Sequence, residues 1–197
     1  MPKKKNNRQH LLDAGLALLA EKPPEQVSLD EVADKAGVTK PMVYYYFGNK
    51  VGYYQNLIQY VEEVMLDLVN QCLSDGGSFR TIMKRFILQR VDCILNHPEF
   101  SSAFRIIVSN KELWGVQVRE HFISIVRAFE PVFTGEIENG RIKPDANLQL
   151  VMATLNTLIE GAYRIHGRKF FETADTEKFA DMITAMIFEG IGTGTRE

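Results

Sequence analysis

The segment from Ser28 to Lys50 crowds two helix starts and two helix stops together, leaving the chain little freedom in how it turns. Ser28, with Glu31 three positions on, has the pattern of a reciprocal capping box, in which hydroxyl and carboxylate each satisfy an orphan amide donor. Val27 and Val32 stand where a hydrophobic staple closes. Leu29, Val32, Ala33 and Ala36 then recur at i, i+3, i+4 and i+7, which puts one apolar stripe on one helix face. Gly37 supplies the stop, because glycine adopts left-handed backbone at little steric cost. Only Val38 separates it from Thr39, the expected cap of a second helix. Pro41 falls in that helix's first turn, where its missing N–H costs nothing, and Val38 can staple onto Val43.

With Val43, Tyr46 and Phe47 facing inward, the second helix presents Thr39, Lys40, Pro41, Tyr44 and Tyr45 on its other side, a polar and aromatic face without an acid. Gly48 and Asn49 break the helix. Lys50 opens the next one, where an ammonium can meet a phosphate alongside unbonded N-terminal amides. Helix, tight turn, helix, aromatic exit and lysine make the outline of a DNA-reading helix-turn-helix. Capped short helices around a glycine turn also occur in proteins that never touch DNA, and a tyrosine cluster also serves as a half-buried packing face. The residues alone leave both readings open.

Ala36-Gly37-Val38-Thr39, Val43-Tyr44-Tyr45-Tyr46-Phe47 and Asn49-Lys50 together resemble the N-terminal DNA-binding region of TetR-type repressors. The resemblance covers roughly residues 8 to 57, and the rest is similar only in length and helical character. It implies that Thr39 and Lys40 begin the recognition helix, that Tyr44 contacts phosphate and that Lys50 clamps the DNA backbone. With Ser28 at the start of the preceding helix, the expected DNA-binding set is Ser28, Thr39, Lys40, Pro41, Tyr44, Tyr45 and Lys50. Two positions depart from the family pattern, which often has histidine where Tyr45 stands and an acid where Val51 stands. For base reading, Lys40 can donate to guanine, and Thr39, Pro41 or Tyr45 can touch a thymine methyl. Tyr44 and Lys50 set register on phosphates without reading sequence.

A net charge of -2 argues against a nonspecific architectural DNA binder, which needs a far more basic chain. The charge is unevenly spread: residues 1–50 carry 8 Lys+Arg against 6 Asp+Glu, which leaves 15 against 19 for the remainder. Lys3, Lys4, Lys5 and Arg8 form a basic arm suited to phosphates or a minor groove. Leu12, Leu16 and Leu19 fall at helical spacing, as a first helix packed on the two-helix unit requires; Asp13 speaks against a secretory signal there. No apolar run is long enough for a membrane span. Cys72 and Cys93 are too few and too isolated for a disulfide framework or zinc site, which suits two buried thiols in a reducing cytoplasm, with a redox switch between them as the alternative.

Beyond the motif the chain reads as helix after helix, with breaks at residues 74–78, at His97-Pro98, near Ser109-Asn110, at Asn139-Gly140 and at 172–176. A fourth helix from Lys50 to about Leu73 is the mechanical link into the second domain. A fifth, from Phe79 to about Asn96, carries Phe79, Ile82, Met83, Phe86, Ile87 and Ile94 on one stripe that Arg90 interrupts. Phe122, Val126, Phe129 and Phe133 form another face. A helix from Asp145 to about His166 has so little polar circumference that it must be covered on two sides, and Phe179, Met182, Ile183, Met186 and Ile187 repeat the pattern in the last helix. These two C-terminal helices are expected to form a four-helix interface in a homodimer, as in the family that the chain resembles. Two recognition helices about 34 Å apart, or a multiple of that, then read a palindromic operator.

The expected fold is all-α: a three-helix helix-turn-helix DNA-binding domain with its basic arm over residues 1–49, then a larger helical effector-binding and dimerisation domain over 50–197. So large an appendage exceeds what dimerisation needs, so a cavity for a small, hydrophobic or amphipathic effector is expected. Arg90, His121 and Asn156 are its candidate polar lining, with Tyr60, Phe104 and Trp114 as apolar wall. An enzyme or carrier on a helical bundle is the competing class. Yet the chain has no Gly-x-Ser-x-Gly elbow, phosphate-binding glycine loop or metal constellation, and its four histidines lie in separate segments. The expected protein is a ligand-released repressor without cofactor or metal.

Overall fold

The computed structural model describes residues 7–109 and 111–191, with side chains for all of them except 104–109, 111–119 and 121. The regular elements are helices: α1 (Asn7–Glu21), a 3-10 turn (Pro24–Gln26), α2 (Leu29–Ala36), α3 (Lys40–Phe47), α4 (Lys50–Ser74), α5 (Phe79–Asn96), α6 (Pro98–Ser109), α7 (Lys111–Glu138), α8 (Leu148–His166), α9 (Arg168–Thr173) and α10 (Thr176–Ile191). A helix-turn-helix domain thus precedes a larger helical domain. Chain contacts divide the molecule into one unit of Met1–Val64 with His97–Arg119 and another of Met65–Asn96 with Glu120–Glu197.

In the N-terminal unit, α1 packs against α2, α3 and α6. Leu11, Leu12, Leu16 and Leu19 of α1 are buried together with Val32 and Ala33 of α2, Val43 and Phe47 of α3, and Tyr53 and Leu57 of α4. Aromatic edges lock α3 to α4, with the Phe47 and Tyr53 rings 5.0 Å apart and nearly perpendicular. The Tyr53 hydroxyl donates to the Leu11 carbonyl at 2.8 Å and that of Tyr54 to the Pro24 carbonyl at 3.0 Å. Burial pushes the Tyr53 phenol far up and that of Tyr54 to about 12. Both stay neutral donors.

The capping box forms as expected: the Ser28 Oγ accepts from the Glu31 amide and the Glu31 carboxylate accepts from the Ser28 amide. Gly37 closes α2 in the left-handed region, at φ 68°. Lys22 adds an ion pair to Glu31. Lys22 and Ser28 together lower the Glu31 carboxyl from its ordinary 4.5 to about 2. A depressed folded-state pKa stabilises above the ordinary value and loses that effect as pH falls through about 2. Stability should therefore fall between about pH 4.5 and 2 with a steeper slope in the wild type than in Glu31→Gln, as measured by urea unfolding at several pH values.

The C-terminal unit is built around α5, which packs on α8, α9 and α10. Phe79, Ile82, Met83, Phe86, Ile87 and Ile94 are all buried, as their spacing predicts. The Phe79–Phe133 and Phe86–Phe129 rings stack edge-on at 5.1 and 5.3 Å. One helix was not anticipated: Gly167 stops α8, and the short α9 inserts the buried Phe171 before α10 begins. Cys72 and Cys93 are buried, and burial pushes the Cys72 thiol up to about 11, so it is a poor nucleophile. Among the described residues no helix is long and apolar enough to cross a membrane.

The apolar circumference of α8 and α10 divides into two faces. Leu148, Val151, Met152, Leu155 and Ile159 of α8, with Phe179, Ile183 and Ile187 of α10, are buried inside the unit. Leu150 and Ile165 of α8 and Met182 and Met186 of α10 are 54–75% exposed.

Candidate nucleic-acid interface

Helix α3 shows how local sequence divides a short helix into an inner and an exposed face. Val43 and Phe47 anchor its inner side, while Thr39, Lys40, Pro41, Tyr44 and Tyr45 are all exposed. Tyr46, expected inside, is half-buried; its ring supports that of Tyr45 edge-on at 5.2 Å. Tyr45 is 82% exposed and Tyr44 44%. Two neighbouring aromatics turned to solvent on a short helix gain little burial from folding.

Thr39 occupies the N-cap position in extended backbone, but its side chain makes no capping hydrogen bond. The expected cap thus operates through backbone geometry and Pro41 rather than through the hydroxyl. Ser28 differs, since its hydroxyl is committed to Glu31. Lys40 is held by Asp30 of α2, with Nζ 2.8 Å from Oδ1 and 2.9 Å from Oδ2. This hydrogen bond, then the Asp30 charge, raises the Lys40 pKa. An acid therefore touches a face that carries none in its own helix. That partner was missed, because ten positions of separation across a turn match no helical pair rule.

Asn49, read as a helix breaker, also caps α4, its Oδ1 accepting from the Gly52 amide at 2.9 Å. Asparagine directly before a helix is a recognised N-cap signal that would have revealed it. Lys50 follows at the exposed first position of α4, with Nζ 5.9 Å from the Tyr54 ring centroid. Arg8 lies within α1, where it donates to Asn56 at 2.7 Å and stands 6.0 Å from the Phe47 ring centroid. Lys3, Lys4 and Lys5 of the expected arm lie outside the described residues.

The three effector-lining candidates whose side chains are described fall in different units. Tyr60 belongs to the N-terminal unit, donating to Asp13 at 3.2 Å and meeting the Phe100 ring edge-on. Arg90 and Asn156 belong to the C-terminal unit. Arg90 is 3% exposed and pairs with Glu160 at 2.8 Å, while Asn156 is half-buried on α8. The side chains of Phe104, Trp114 and His121 lie outside the described set. An open cleft of about 400 Å³ lies elsewhere, between the start of α8 and the end of α10, lined by Leu150, Val151, Thr154, Met186, Ile187 and Ile191 among others.

Comparison with known proteins agrees with this geometry. The family model described as "Bacterial regulatory proteins, tetR family" matches residues 11–53, which span α1 to the start of α4. The chain is 27% identical over 117 residues to a nucleoid occlusion factor SlmA of Alteromonas mediterranea, covering 59% of this chain and 58% of that relative. The chain superposes on a TetR-family transcription regulator of Shewanella sp. PV-4, with TM-score 0.78, 13% identity, and coverage of 96% and 100% of the two chains. It also superposes on SmeT in its triclosan complex, with TM-score 0.73, 15% identity, and coverage of 95% and 92%. Residues 11–53 match the tetR-family model, and the chain carrying them has the fold of the TetR-family transcriptional regulators.

Proposed function

We propose that this protein is a ligand-responsive transcriptional regulator, a repressor in sign, that binds a palindromic operator as a homodimer and is released by a small-molecule effector. The observation that carries this reading is the exposed face of α3, Thr39, Lys40, Pro41, Tyr44 and Tyr45, followed by Lys50 at the head of α4. That face has a helix's width, which the major groove of B-DNA accommodates. Thr39, Lys40, Pro41 and Tyr45 read base edges, Tyr44 and Lys50 hold phosphate, and Ser28 fixes the start of α2. Dimerisation is supported by exposed Leu150, Ile165, Met182 and Met186, apolar groups that a soluble monomer leaves in water at a cost. Residues 50–197 then serve as the effector and dimerisation domain. The triclosan complex of SmeT supports an apolar effector for a chain of this fold. A cytoplasmic setting follows from the task of meeting DNA.

Selection of bound fragments from a random duplex library, followed by anisotropy titration against a scrambled duplex, tests the reading. A palindrome bound at least about a thousandfold more tightly than the scramble is expected. Uniform salt-sensitive binding, or none, overturns it. Within that assay, Tyr44→Ala and Lys50→Ala should weaken binding evenly across sequences, whereas Lys40→Ala should also relax sequence preference by about 1–3 kcal/mol at one position. Equal losses on all sequences from Lys40→Ala would remove its base-reading role.

A further inference from the structure

The Lys40 ammonium meets the Asp30 carboxylate at 2.8 Å across the turn between α2 and α3, and both side chains are more than half exposed. An exposed pair of this kind adds little stability, because solvent screens the attraction and two long side chains lose rotamer freedom. Its consequence is felt at the binding surface. Lys40 is the first residue of α3, and an unheld lysine there would sweep a wide arc and settle on any phosphate within reach. Bonded to Asp30, its ammonium is biased towards one position. The adjoining carboxylate also repels phosphate oxygens, which come with every duplex, while a base edge presenting an acceptor to Lys40 beside a donor for Asp30 is tolerated. Guanine O6 and cytosine N4 of one G·C pair make that combination in the major groove.

We infer that Asp30 is a specificity-determining positioning residue: it holds Lys40 for base reading and penalises binding to the DNA backbone alone. The inference rests on the DNA-binding role proposed above and adds to it a partner for Lys40. It separates two effects that a general charge argument merges. Removing another acid from this surface should tighten binding to all duplexes alike, whereas removing Asp30 should tighten binding to the wrong duplex and narrow the gap to the right one.

The test compares full-length wild type, Asp30→Asn and Asp34→Asn on two duplexes: the palindrome that the wild type selects, and its scramble. Asp34 is an exposed acid on the same helix, so its replacement makes the same charge change without touching Lys40. Thermal melts establish that each variant is folded. Asp30→Asn is expected to bind the scramble several-fold more tightly, with a salt slope steeper by about one phosphate contact. It should lower the ratio of specific to nonspecific affinity about tenfold or more, the preference for a G·C pair in each half-site being lost. Asp34→Asn should leave that ratio unchanged. An unchanged ratio in Asp30→Asn, or equal changes in the two variants, overturns the inference while leaving the regulator reading intact. A wild type that prefers no duplex overturns both.

Discussion

Gly15→Ala is expected to destabilise the N-terminal unit by about 3 kcal/mol, although alanine is the better helix former by about 1 kcal/mol. Gly15 lies in the middle of α1, where helix propensity alone favours the change. A Cβ built there falls 1.8 Å from the Tyr53 hydroxyl oxygen and 2.9 Å from its ring carbon. Tyr53 cannot yield easily, being fully buried, bonded to the Leu11 carbonyl and flanked edge-on by Phe47. Moving it breaks a buried hydrogen bond and opens the α3–α4 contact. Urea unfolding of Gly15→Ala, Tyr53→Phe and the double variant checks this. With the hydroxyl gone the worst overlap is gone, so alanine should cost less by at least about 1 kcal/mol in the Tyr53→Phe background. A neutral or stabilising Gly15→Ala would mean that propensity outweighs the clash.

Removing Arg90 should have an effect of similar size in the C-terminal unit. Arg90 is 3% exposed, its guanidinium bonds Glu160 at 2.8 Å, and it also donates to the Met65 sulfur at 3.7 Å. The second Glu160 oxygen is buried without a hydrogen-bond partner among the described residues, so the carboxylate depends heavily on this cation. Arg90→Met strands it, at a cost of about 3–5 kcal/mol. The double replacement Arg90→Met, Glu160→Met should recover most of that loss, since an apolar pair of similar volume does not bear the desolvation of two ions. Thermal or urea unfolding of the single and double variants decides. A loss under about 1 kcal/mol in Arg90→Met would place the pair among exposed bridges. No recovery in the double variant would place its worth in packing shape.

Both predictions depend on contacts that no local pattern announces. Gly15 reads as a weak point in an apolar helix, and its requirement appears only when Tyr53 arrives from α4. Arg90 reads as an interruption of the α5 stripe, yet it is as buried as the stripe, because Glu160 meets it from 70 positions away. Asp30 likewise reads as a good first-turn acid, favourable to the α2 dipole, and nothing near it in the chain points to Lys40.

What the sequence determined by itself were features whose physics closes within a few residues. The Ser28–Glu31 box, the left-handed Gly37, the proline-started α3 with its inner Val43 and Phe47, and the buried periodicity of α5 all follow from capping, backbone sterics and helical spacing. Those features suffice for an all-α chain that begins with a helix-turn-helix. The tertiary structure decided how apolar circumference is divided, turning Leu150, Ile165, Met182 and Met186 outward while their neighbours fill the core. It also decided which charges meet and where a missing Cβ is needed. The reason is physical: a cap or a turn is an energy minimum of a few residues, whereas an ion pair or a close approach exists only after separate helices have packed.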